Sequence, residues 1–211
     1  MEWSERADAA IARYRGGEGR ELDQRQLTQL ANAAWAAGTS LLMDGRRDEA
    51  AAWLRIAAER YRESWQDAPP DSWGRPIAAM KALLLAGDDA TGAARWALDA
   101  GAEEAASPIG RYAATLARLV LDDAAAAGPL ATSLLVRDDF PDDVARALAA
   151  LAARDRERYA AAALDVLASF ESRADFLEDV PIADTVIVLQ ALAAARGIAA
   201  ELPESPRLPH R

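Results

Sequence analysis

The stretch Leu41–Ala57, LLMDGRRDEAAAWLRIA, decides the fold. A leucine-rich helix end runs into Asp44-Gly45, two arginines break the chain, and an alanine-rich helix starts again at Asp48. The same sentence is written three more times. Leu83-Leu84-Leu85-Ala86-Gly87 leads into Asp89–Leu98, and Leu119-Val120-Leu121-Asp122 into Ala124–Leu135. Leu151-Ala152-Ala153-Arg154-Asp155 leads into Tyr159–Phe170. On either side of the first break, Leu27, Leu30, Ala34, Ala37 and Leu41 form one stripe and Ala50, Trp53, Leu54, Ala57 and Tyr61 another. Their three- and four-residue spacing is that of amphipathic helices. Valine, isoleucine and threonine are sparse, and no sustained alternation of apolar and polar residues points to a strand. The chain is expected to be all-α, a right-handed stack of about nine antiparallel helices in hairpins.

Alanine, the best helix former, dominates a composition that is 52% hydrophobic. Each alanine buries little area, so helices must approach closely and be pinned by leucines and by the six tryptophans. Aromatic side chains of that kind bury about 150–250 Å² each. The 211 residues read as one domain, 1–211, with a possible N-terminal hairpin subregion, 1–68, before the linker Asp67-Ala68-Pro69-Pro70. Ser4 is the expected cap of the first helix, which ends at Gly16-Gly17, and Asp23 or Leu22 opens the second. Ser107-Pro108 places a capping serine before a proline in the first turn. A last helix, Asp184–Arg196, closes at Gly197. Pro203, Pro206 and Pro209 then predict an extended tail over 198–211.

The formal charge of −10 argues against nucleic acid, whose phosphates must be neutralised by a binder, and against an acidic membrane surface. It suits a basic protein partner, or simply solubility. With no cysteine there is no disulfide framework, and Met1–Arg15 lacks the apolar segment of a secretory signal, so a cytoplasmic location is expected.

Reactive groups are scarce: one lysine, and one histidine, His210, beside the end of the chain. A catalytic base needs an orienting partner, which a chain end does not offer. The acidic pairs Asp88-Asp89, Glu103-Glu104, Asp122-Asp123, Asp138-Asp139 and Asp142-Asp143 sit at helix starts and turns, where capping explains them. Neighbours on a helix diverge by about 100°, so such pairs do not converge as an acid/base dyad. No phosphate loop, nucleophile elbow or paired-histidine zinc motif is present, and neither a metal nor a cofactor is expected.

Two places stand out. Glu171, Asp175, Glu178, Asp179 and Asp184 crowd a helix end and the following connection with only Arg173 to balance them, a candidate docking patch for a basic partner. Ser72-Trp73-Gly74-Arg75-Pro76 is the other. Here Trp73 and Arg75 either contact a partner or are structural, the ring plugging a gap between hairpins and the guanidinium bonding neighbours. Gly110-Arg111-Tyr112 repeats the motif, and the two arginines are candidates for one internal network.

The first hairpin resembles a tetratricopeptide repeat in the placing of Gly38, Gly45, Ala50, Leu54 and Ala57. The later units keep its rhythm but not its period of about 34 residues. Ser72–Pro76, Lys81, Leu85-Ala86-Gly87-Asp88 and, near the C-terminus, Asp184, Leu189, Ala191-Leu192-Ala193, Arg196-Gly197, Ser205-Pro206 and Leu208-Pro209 resemble the immunity protein 49 family of bacterial polymorphic-toxin systems. That resemblance implies an all-helical, non-catalytic protein that binds and blocks a cognate toxin, and it brings no catalytic residues with it. The alternative is a tetratricopeptide-like scaffold that holds a peptide in a concave groove. An enzyme is a more distant third.

Overall fold

A computed structural model describes residues 2–19 and 21–210. Ten α-helices and no strand occur among them, against the nine or so expected. They are α1 Trp3–Gly17, α2 Gln24–Met43, α3 Arg47–Glu63, α4 Gly74–Ala86 and α5 Thr91–Asp99. There follow α6 Pro108–Val120, α7 Ala124–Leu134, α8 Asp142–Ala153, α9 Arg156–Ser172 and α10 Asp184–Ala195.

The repeated sentence of the sequence is a repeated way of ending a helix. At the close of α2, α4, α6, α8 and α10 one residue turns left-handed: Gly45, Gly87, Asp122, Arg154 and Gly197. The amide after each reaches back to a carbonyl of the last helical turn. Arg46 N to Leu41 O, Asp88 N to Leu83 O, Asp123 N to Arg118 O, Asp155 N to Ala150 O and Ile198 N to Ala193 O are all 2.9 Å. This six-to-one bond satisfies carbonyls that a helix end would leave orphaned. Side chains start the next helix. The Asp23, Asp123 and Asp155 carboxylates cap α2, α7 and α9, and Ser107 caps α6 ahead of Pro108. Ser4 does not cap α1. It lies inside the helix, and Glu2 precedes it, its amide bonded to Glu5 Oε2 at 3.1 Å.

Every helix packs on its successor, and α2, α4, α6, α8 and α10 also pack on one another in that order. The even-numbered helices therefore form one layer of the stack. The last of them, α10, also returns to α4, so the layer closes on itself. Small residues allow the close approach: a Cβ on Gly38 would lie 2.7 Å from Leu54 Cγ and 3.1 Å from the Ala50 carbonyl oxygen. Most of α2 beyond its first two turns, from Leu30 to Met43, is enclosed on all sides. A continuous buried cluster runs from Ala7 to Ile198, crossing the Pro69-Pro70 linker. There Trp73 rests against Trp65 with ring centres 5.6 Å apart, and Trp65 against Trp96 at 5.7 Å. The tail is non-helical, as its prolines require, but it is fastened. Arg207 O accepts from Ala183 N at 2.9 Å, and Gln190 exchanges two hydrogen bonds with Ala200.

Candidate functional site

The acidic connection between α9 and α10 is divided into an outer and an inner half. Its outer half begins after Ser172, where Arg173 lies over the Phe170 ring and Phe176 packs beside that ring at 6.4 Å. Leu177–Asp179 then forms a short 3₁₀ turn in which Glu178 and Asp179 are both left-handed, at φ +53° and +56°. Such backbone costs roughly 1 kcal/mol or more per non-glycine residue, so other contacts must hold it. Two arginines of α1 do so. Arg6 Nη1 donates to Asp179 O at 2.6 Å, and Arg13 Nη2 meets Glu178 Oε2 at 3.0 Å. Behind the turn, Arg207 of the tail lies over Phe176.

The result is an exposed turn braced by arginines, with Leu177 49% exposed. Asp175 and Asp179 are exposed, and among the described residues their carboxylates have no ion-pair partner. Glu178 is half-buried with Arg13. Glu171, back on α9, accepts from the Ser205 hydroxyl at 2.6 Å and so helps fasten the tail.

The inner half runs inward through Val180, Ile182 and Ala183, all buried, to Asp184. The Asp184 carboxylate faces Lys81 Nζ of α4 at 2.5 Å, and both side chains are only 14% exposed. Lys81 also donates to Thr185 Oγ1 at 3.0 Å. Burial pulls the Lys81 pKa down, but Asp184 and the buried Tyr112 phenol beside it more than offset this, leaving it above an ordinary lysine. Burial raises the Tyr112 phenol as well. The chain's sole lysine is thus a protonated cation that joins α10 to α4, with no free lone pair for nucleophilic chemistry at neutral pH.

Three of the candidate partner contacts have partners within the stack. Asp184 is occupied with Lys81 inside the stack. Trp73 is buried at 6% exposure, its Nε1 donating to Asp71 Oδ1 at 3.0 Å, and it presses on the bare backbone of Gly110. Arg75 is half-buried, with Nε on Ser64 Oγ at 3.0 Å and Nη2 on Gln24 Oε1, and burial lowers its pKa. Both residues of the Trp73–Arg75 string tie hairpins together. The expected network with Arg111 does not form, because Arg75 finds its partners on α2 and at the end of α3.

One feature had no sequence signal. A cleft of about 420 Å³ opens between the end of α1, α2 and the acidic turn. Buried Leu30 and Ala33 form its floor, and Gln26, Gln29, Arg13 and Glu178 its rim. The Gly16-Gly17 pair, legible only as a helix end, supplies a wall without side chains.

Among the described residues no helix is long and apolar enough to cross a membrane, and no three His, Cys, Asp or Glu side chains are arranged to hold a metal ion. No family model, curated protein or solved structure matches the chain.

Proposed function

We propose that this chain is a non-catalytic immunity protein that binds a basic bacterial toxin in the cytoplasm and blocks its active surface. One observation carries the proposal: a rigidly braced turn presents half-exposed Leu177 between the exposed carboxylates of Asp175 and Asp179. An exposed apolar side chain between two unpaired carboxylates, on a backbone braced by Arg6 and Arg13, suits recognition of a protein surface, and pre-organisation lowers the cost of binding. The net charge of −10 steers a basic partner toward it, an effect that salt weakens. The scaffold alternative has less support, since α10 lies against the layer where an open helical stack would receive a peptide.

Co-expression with a candidate toxin from the neighbouring reading frame tests the proposal. Cells survive if it is right, and the two proteins co-purify as a complex that loosens with salt. Undiminished killing in the presence of the folded protein rejects it.

A further inference from the structure

We infer that Ser205–Leu208 is a strap that locks the acidic turn between α9 and α10 in its partner-facing shape. Lifting the strap frees the turn and leaves the helical stack folded. The inference deepens the proposed function and rests on it only for what the turn recognises.

The strap has a local structure of its own. Leu208 N donates to Ser205 O at 3.1 Å, closing a turn, and Arg207 N donates to Ser205 Oγ at 3.2 Å. Pro206 stands second in that turn, where its fixed φ suits the geometry. Three contacts then reach outward. The hydroxyl of buried Ser205 donates to Glu171 Oε1 at 2.6 Å, tying the strap to the last turn of α9. The Arg207 carbonyl accepts from Ala183 N at 2.9 Å, just ahead of α10. The Arg207 guanidinium covers the Phe176 ring at 4.9 Å. Phe176 and Ala183 flank the turn on either side, so one residue of the strap grips both shoulders.

The turn needs such a grip. Glu178 and Asp179 are consecutive left-handed residues, a conformation that persists only where the surroundings over-determine it. On the α1 side Arg6 holds the Asp179 carbonyl, while the half-exposed pair of Arg13 with Glu178 is a weak surface contact. On the strap side Ala183 is fully buried, and a buried amide left without a partner is costly. The Arg207 carbonyl is that partner. Even so, the strap is separable from the core. Arg207 Nε is buried without a hydrogen bond among the described residues, so ring and backbone, rather than a carboxylate, hold that residue. Upstream, a cleft of about 660 Å³ opens between the chain leading into the strap and Val186 and Ile187 of α10, so that stretch is not packed solidly against the helix.

The test is amide hydrogen exchange in the intact protein, read by mass spectrometry. Ser205→Asp sets a second carboxylate against Glu171 and should lift the strap. Exchange across 176–183 is expected to quicken about tenfold, while α2 and α6 keep the parent's rates. Arg207→Ala, which uncovers Phe176 but keeps the carbonyl bond, should quicken it about threefold. Adding Glu171→Lys to Ser205→Asp restores an attractive pair and should return the turn to the parent's rate. Unchanged exchange across 176–183 in Ser205→Asp would overturn the inference, even if 198–208 frays. So would a loss of protection throughout the stack, or a failure of Glu171→Lys to rescue. Toxin capture separates this idea from the proposed function. A freed turn with severalfold slower capture supports both. A freed turn with capture unchanged overturns the strap's part in recognition. Toxin ignored by parent and variants alike removes the proposed function, while the exchange result still decides whether the strap locks the turn.

Discussion

Asp184 and Asp179 stand five positions apart in one acidic run, yet they have opposite surroundings. Asp184 faces the sole lysine in a nearly dry contact at the first turn of α10. Asp179 lies in the open, its carbonyl held by Arg6 and its carboxylate free of any ion pair among the described residues. The connection changes sides between them, through Val180, Ile182 and Ala183. A carboxylate's role is therefore set by the chain that arrives opposite it, and only the inner one should matter greatly to stability.

The largest effect expected is from Lys81→Met, which strands Asp184 beside apolar neighbours and should cost about 3 kcal/mol in chemical denaturation. Adding Asp184→Leu should recover most of it, because a buried pair replaced as a unit is close to neutral. The same contact predicts a pH dependence. A folded pKa raised above that of the unfolded lysine means the contribution is whole below about pH 10.4 and lost as pH rises past it. Buried Tyr61 and Tyr159, also raised by burial, add to the alkaline loss in the parent and in Lys81→Met alike, and a Tyr112→Phe background removes the one phenol that Lys81 itself influences. The steeper fall of the parent's denaturation midpoint isolates the lysine.

The outer half should respond to backbone rather than to charge. Asp179→Val puts a β-branched residue at φ +56° and should cost about 1–2 kcal/mol, whereas Asp179→Asn, which tolerates that region, should leave thermal stability unchanged. Smaller still is Arg13→Ala, since the Arg13 side chain is half-exposed. Loss of its pair with Glu178 should cost about 1 kcal/mol or less in thermal melts.

These contrasts also mark what the sequence could reveal. Helix endings at Gly45, Gly87 and Gly197 and the caps at Asp23, Ser107 and Asp123 depend on residues within one turn, so they were legible. The left-handed Arg154 was not, because arginine gives no such signal. Lys81 and Thr185 are 104 positions apart, and no local pattern announces that α10 will return to α4. Without that contact, five carboxylates looked alike. Trp73 and Arg75 drew attention as an unusual string, but their unusual character serves packing between hairpins. The cleft is made by three segments from both ends of the chain, which explains its silence in the sequence.

The most direct measurement follows two variants in parallel, Asp184→Asn and the pair Asp175→Asn with Asp179→Asn, by denaturation and by association rate with the toxin proposed as the partner. The double variant should keep the parent's denaturation midpoint and associate severalfold more slowly, while Asp184→Asn, at low temperature where it remains folded, loses stability and keeps its rate. A double variant that unfolds early, or one that captures the toxin as fast as the parent, would contradict the division of the acidic run into a structural half and a partner-facing half.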